Sequence, residues 1–302
     1  MRKKTTMLLA LSVAGGAIMV LPHAAAAAAV CAFPTIEGTS DADVVTGTEG
    51  NDVIFAGAGD DVVNAGGGID VICGGKGDDA ISGGAEVDLI AGGKGADQLA
   101  GDTGVDIVTY ETAGQSVRVD LSIGSATGDG TDRLFDIEAV EGSAFNDFLF
   151  GGDAPEEIQG GPGNDLLRGG AGDDLLGGGT GNDRIDGEAG RDRLAYIQTN
   201  RDLWIDLQDG YAHGQGRDRV SSIEIFSGSN GDDHLIGDGS DNRIDGLFGS
   251  DVIRGGGGND TLGGEHGKDK LTGGDGEDVL VGGKGADSCG SGETYQGCEN
   301  FH

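Results

Sequence analysis

Aliphatic residues recur at one fixed phase every nine positions along this chain: Val45, Ile54, Val63, Ile72, Ile81, Ile90, Leu99 and Val108 form the first such series. Written in nines, the chain gives eight units from Gly38 to Thr109, six from Gly142 to Ala195 and seven from Gly228 to Gly290, with a worn eighth ending at Glu299. Position eight is Val, Ile or Leu in 20 of these 22 units and cysteine in the last two, Cys289 and Cys298. Position six is Asp in 19 and position four is Gly in 16. A period of nine with one apolar residue per unit fits neither a helix of 3.6 residues per turn nor a long alternating strand. It predicts a coil whose unit is a six-residue turn followed by a three-residue strand. Glycine lets the turn reach positive φ and approach its neighbour closely, and the position-eight side chain points inward while seven and nine point out. Two units then close one coil of a narrow solenoid, with successive units in two opposed parallel sheets and a core one aliphatic residue wide.

Two segments break the period, residues 110–141 and 196–227. They align without gaps and share Tyr110 with Tyr196, Asp120 with Asp206, Leu121 with Leu207, Asp132 with Asp218, Arg133 with Arg219, and Glu138 with Glu224. They are a second repeat type. Val117, Val119 and Leu121 alternate as a strand does, as do Leu203, Ile205 and Leu207, and Leu134 to Val140 reads as a second strand. A binding surface around Trp204, Tyr211 and His213 is one reading of the second copy; the other is that Trp204 covers the sheet face.

Composition changes the picture. The chain has 302 residues, 64 of them Gly, and a net charge of -34. Such acidity argues against nucleic acid, which is held by clustered Lys and Arg. With so few bulky apolar residues, disorder is the default unless a cation neutralises the charge. Arg2, Lys3 and Lys4, an apolar run from Met7 to Val20 and an alanine tract from Ala24 to Ala29 give the pattern of a secretory signal peptide over residues 1–29. The apolar run is shorter than the ~20 residues of a membrane-spanning helix, so the mature chain is expected to be secreted with no membrane span.

Glycine-rich turns present backbone carbonyls, and position six adds a carboxylate. An all-oxygen set at a flexible site suits calcium better than small octahedral magnesium, and zinc would want Cys and His. Units such as GGKGDDAIS (74–82), GGKGADQLA (92–100), GGPGNDLLR (160–168) and GGGGNDTLG (255–263) resemble the hemolysin-type, or repeats-in-toxin (RTX), calcium-binding nonapeptides. The resemblance implies an all-β fold, a parallel right-handed β-roll, with several calcium ions between equivalent turns two units apart. Carried over residue by residue, it implies metal ligands at Asp43, Asp52, Asp61, Asp70, Asp79, Asp88, Asp97 and Asp106 in the first array. Asp147, Asp165, Asp174, Asp183 and Asp192 follow in the second, and Asp233, Asp251, Asp260, Asp269, Asp278 and Asp287 in the third. The pattern departs at Glu86, at Ala154 with Glu156, and at Ser240 with Asn242. The competing reading, that the aspartates only solvate turns, does not require a fixed phase. The interruptions are expected to be longer coils continuing the roll.

A solenoid exposes its core at both ends and needs caps. Four cysteines in an exported chain allow three pairings. Cys289 and Cys298, one unit apart at the inward position, are expected to pair, leaving Cys31 with Cys73 as an N-terminal clasp. The chain divides accordingly into a cap (30–37), a first array (38–109), an interruption (110–141), a second array (142–195), an interruption (196–227) and a third array with the C-terminal cap (228–299). No H-E-x-x-H and no G-x-S-x-G occurs, and the five His show no ligand spacing. The sequence therefore reads as a non-enzymatic, monomeric, secreted calcium-binding protein of structural, surface or matrix role. The alternative is a calcium-dependent enzyme or a carbohydrate-binding or adhesion module with its site in the interruptions, where Asp120, Asp206, Glu138 and Glu224 supply carboxylates. A cell-surface or extracellular polysaccharide, or a protein, is the expected partner.

Overall fold

The computed structural model describes residues 12–14, 17–19, 31–196, 201–292 and 294–301. Apart from the antiparallel pair Ser12–Ala14 and Ala17–Met19, the expected signal peptide lies outside the described residues.

From Ile36 onward the chain winds as a parallel β-roll. Strand partners lie 18 residues, or two units, apart. Ile36, Ile54, Ile72, Ile90 and Val108 stack in one sheet. Val45, Val63, Ile81 and Leu99 stack in the other. The sheets face each other across a core supplied by position eight, where Ile54, Ile90, Leu99, Leu167 and Leu262 are fully buried. Because side chains alternate along a strand, position one also faces inward. Ala56 and Ala65 are buried there, and elsewhere the position is mostly glycine.

The interruptions differ from the long coils expected of them. In the first, strands Arg118–Asp120, Ser125–Thr127 and Thr131–Phe135 form an antiparallel meander. The last continues the second sheet beside Gln98–Thr103, and the first carries Phe148–Phe150 of the next array. Leu134 thus lies beside Leu99, while Ala126, set opposite Asp132, lies beside Val119 and that beside Leu149, and all five apolar residues are buried. In the opposite sheet Ile107–Thr109 pairs directly with Ala139–Glu141, so the insertion enters one sheet only. Strand Trp204–Asp206 begins the same arrangement in the second copy, with Tyr211–His213 and Arg217–Ser221. Local backbone explains why alternation misread these segments. A 3-10 turn at Leu121–Ile123 ends on Gly124 at φ 59, reversing the chain, and Asp136 at φ 50 splits the expected strand from Leu134 to Val140.

Cys31 is bonded to Cys73 and Cys289 to Cys298. The first tie holds the segment before Ile36 on the outer face of its sheet. The second continues the inward ladder, with Cys289 stacked on Leu271 and Cys298 packed against the last of the core. Among the described residues no helix is long and apolar enough to cross a membrane.

Candidate metal sites in the turns

Position six of each unit is where charge enters the molecule. Asp61, Asp79, Asp97, Asp165, Asp183, Asp251 and Asp269 are all buried in the turns, with exposures of 3% or less. Each uses Oδ1 to accept the backbone N–H of the position-six residue one coil earlier. Asp79 donates to Asp97 at 2.9 Å, Asp165 to Asp183 at 2.9 Å and Asp251 to Asp269 at 2.9 Å. The carboxylates therefore tie neighbouring coils at a fixed 18-residue step.

The second oxygen divides the aspartates into classes. In fifteen of them, among the described residues, Oδ2 is buried and meets no donor: Asp61, Asp70, Asp79, Asp88, Asp97, Asp106, Asp165, Asp174, Asp183, Asp192, Asp251, Asp260, Asp269, Asp278 and Asp287. Every one of these units has a left-handed residue at position two. That residue is usually glycine, as in Gly57, Gly75 and Gly179, but is Asp102, Glu188, Leu247 or Glu265 in four units. A non-glycine residue in that conformation costs on the order of 1–3 kcal/mol and is held only where the surroundings dictate it. Asp43, Asp52, Asp147 and Asp233 behave otherwise. Their Oδ2 accepts the N–H of Thr39, Thr48, Ser143 or Ser229 at position two, at 2.6, 2.7, 2.6 and 2.5 Å. None of those four residues is left-handed, so the N–H points at the carboxylate and closes it. Asn242 is closed in the same way by the Asp238 N–H.

A third class was missed in the sequence. Asp132 and Asp218, in the interruptions, continue the ladder by accepting the N–H of Asp97 and Asp183. Their Oδ2 accepts a tyrosine hydroxyl instead, from Tyr110 at 3.0 Å and Tyr196 at 2.6 Å. Burial and the neighbouring carboxylate hold both phenols well above their usual range. The signal was present in the shared Tyr and Asp of the two copies, but nothing in their spacing showed them in contact. Glu138 and Glu224 accept the N–H of Asp106 and Asp192, while Asp120 and Asp206 meet Ser122 and Asp209.

Burial without a counter-charge is costly for a carboxylate. Desolvation, with the charge of stacked neighbours added, raises Asp88, Asp97, Asp106, Asp165, Asp192 and Asp251 to about 7. The ion pairs seen among the described residues, Arg168 with Glu188 and Arg243 with Asp245, are on the surface and do not reach the ladder. The open oxygens border a space that position one leaves free. A Cβ on Gly74 would lie 2.5 Å from Asp79 Oδ2 and 2.5 Å from the Gly92 carbonyl oxygen, and Gly160 is set likewise between Asp165 and Gly178. Among the described residues, no three His, Cys, Asp or Glu side chains cluster as a metal centre. Any ion held here takes backbone carbonyls along with carboxylate. A buried, undonated anionic oxygen beside a carbonyl, with no nitrogen or sulfur ligand near, fits a hard divalent cation.

The sequence profile described as the RTX calcium-binding nonapeptide repeat (4 copies) matches residues 37–72, 74–108, 127–154, 159–194, 227–262 and 264–289, well over half of the chain. No curated protein matches it. Among solved structures it is similar to the crystal structure of a hyperactive, Ca2+-dependent, beta-helical antifreeze protein from an Antarctic bacterium. The identity is 19% and the TM-score 0.22, over 83% of this chain and 84% of that one.

Proposed function

This chain belongs to the RTX calcium-binding nonapeptide-repeat family, and we propose that its open aspartates are the calcium ligands of a secreted protein that folds as it binds. One observation carries the reading: fifteen buried Oδ2 atoms in a single phase with no donor. Asp174 and its equivalents would hold an ion with Oδ2, joined by the position-one carbonyl of the next coil. A bound calcium ion supplies the positive charge that the buried carboxylates lack. Oδ1 meanwhile keeps the coils in register through its backbone hydrogen bond. Asp43, Asp52, Asp147 and Asp233 already have Oδ2 donors, so in this reading they are structural and lie in the opening units of the three arrays.

Export follows from the signal-like residues 1–29, and folding after export follows from linkage. A ligand absent from the unfolded state adds its binding free energy to stability. A structural, surface or matrix role, without enzymatic activity, suits a chain that is repeat almost throughout. Supporting it, Glu138 and Glu224, the carboxylates an enzyme would need in the interruptions, are engaged by the backbone of the ladder.

The test is a calcium titration of residues 30–302 by calorimetry and far-UV circular dichroism, with magnesium as control. Cooperative gain of β signal with several ions bound supports the reading. Asp174→Asn should lower the stoichiometry, whereas Asp147→Asn should leave it unchanged and reduce stability alone. A chain indifferent to calcium sinks the proposal.

A further inference from the structure

In a chain of net charge -34, half of the basic residues that follow the signal-like segment stand on one face. Sixteen Lys and Arg remain after residue 29 (19 minus Arg2, Lys3 and Lys4). Eight lie at outward positions of the second sheet: Arg118, Arg168, Arg184, Arg217, Arg219 and Arg254 centrally, with Arg133 and Lys270 at the margins. All eight are exposed.

Register aligns them. Arg118, Phe148, Leu166, Arg184, Arg219 and Tyr211 occupy successive strands of one row. At ~4.8 Å per strand the row is about 24 Å long, and it runs on through Asp206 and Ile236 to Arg254. Aromatic rings hold the guanidinium groups in place. Arg118 and Arg168 lie over Phe150 at 4.5 and 5.7 Å, and Arg219 over Tyr211 at 5.3 Å. Trp204 stacks on His234 at 4.2 Å and is 48% exposed; Phe148 is 44% exposed.

Three carboxylates, Asp120, Asp186 and Asp206, share this face with the eight cations, Asp186 in register with Arg168. Of the eight cations only Arg168 forms an ion pair among the described residues, with Glu188 at 3.6 Å. Asp120 and Asp206 are turned to Ser122 and Asp209. Flat, extended, cationic and floored by exposed rings, the surface complements a linear polymer with spaced anionic groups and apolar ring faces. A nucleic acid fits less well. Its backbone carries a charge every ~1.7 Å of duplex, and the acidic remainder of the molecule repels that density more strongly than one carboxylate per sugar.

We propose that the outer face of the second sheet, from Arg118 to Arg254, binds a linear acidic polysaccharide through its arginine and aromatic rows. It sharpens the carbohydrate-binding alternative for the interruptions and needs the folded roll, but not any particular assignment of the calcium ligands.

Binding is read by fluorescence anisotropy of an end-labelled oligogalacturonate on the calcium-equilibrated chain, residues 30–302, with circular dichroism of the same samples. Neutral dextran oligomers, a DNA duplex and anionic phospholipid vesicles are the competitors. The double variant R184E/R219E should weaken binding about tenfold or more, since charge-assisted contacts are lost and repulsion added. The sheet-opposite pair R193E/R243E should change it less than twofold, and binding should weaken as salt rises. If R184E/R219E loses β signal, R184Q/R219Q replaces it with the same expected direction. Failure of the oligogalacturonate to bind a folded chain overturns the proposal. So does equal loss in both double variants, or preference for duplex DNA or vesicles. Because folding is read separately, absence of the calcium response is distinguished from absence of the sugar response.

Discussion

Asp97 accepts the backbone N–H of Asp79 through Oδ1 at 2.9 Å, while its own Oδ2 is buried and meets no donor. One side chain thus performs two tasks, fixing the distance between coils and presenting a free anionic oxygen. The same split recurs wherever position two is left-handed.

Position one should decide whether the free oxygen remains usable. Ala56 and Ala65 show that the roll accepts a methyl there, and Asp61 and Asp70, in the units they open, are accordingly expected to hold calcium more weakly than Asp79. Gly74→Ala would nevertheless bring that methyl against Asp79 Oδ2 and the Gly92 carbonyl. The expected outcome is a folded protein with about one calcium fewer by calorimetry. Gly239→Ala, where a Cβ meets nothing within 4 Å, should leave the stoichiometry unchanged.

The tyrosine-closed carboxylates make the opposite prediction. Tyr196→Phe removes the hydroxyl that Asp218 accepts and leaves a buried oxygen unsatisfied. Stability in calcium should fall by about 1–3 kcal/mol, read from the midpoint of urea unfolding. Tyr110→Phe should behave alike at Asp132.

Acid should partly replace calcium. Asp88, Asp97 and Asp165 titrate near 7 in the fold, against an ordinary value of 3.8. The folded state then holds more protons than the unfolded one between those values, so metal-free stability falls as pH rises from about 4 through about 7. Lowering the pH of the calcium-free chain from about 8 to about 5 should increase its β signal. Over the same range, calcium affinity should decrease because protons compete for the same oxygens. A metal-free β signal that rises with pH would contradict the assignment.

The disulfides should contribute unequally. Cys31–Cys73 closes a separation of 42 residues and Cys289–Cys298 one of 9. Loop entropy assigns them about 4 and about 2.6 kcal/mol respectively. Cys31→Ser/Cys73→Ser should therefore lower the melting temperature more than Cys289→Ser/Cys298→Ser.

The period of nine made much of this fold legible. It fixed the inward residue and the 18-residue step between partners; the burial of position six came only from the structure. The period did not reveal which aspartates have a free oxygen, because that depends on φ at position two. Thr48 and Ser143 hint at closure, yet Leu247 and Glu265 adopt the left-handed conformation that residue type alone would assign to glycine. The meanders were hidden for a related reason. Val117, Val119 and Leu121 alternate correctly, but Gly124 reverses the chain directly after them, and strand alternation carries no information about direction.

The two interruptions open identically built joints: Asp97 reaches Asp132, and Asp183 reaches Asp218, each across 35 residues. A stretch from Tyr110 to Ala195 is therefore a cassette whose removal would join Thr109 to Tyr196, remaking a junction the molecule already contains. Length in such a protein is a copy number, adjustable by duplication or loss of whole cassettes without designing a new seam.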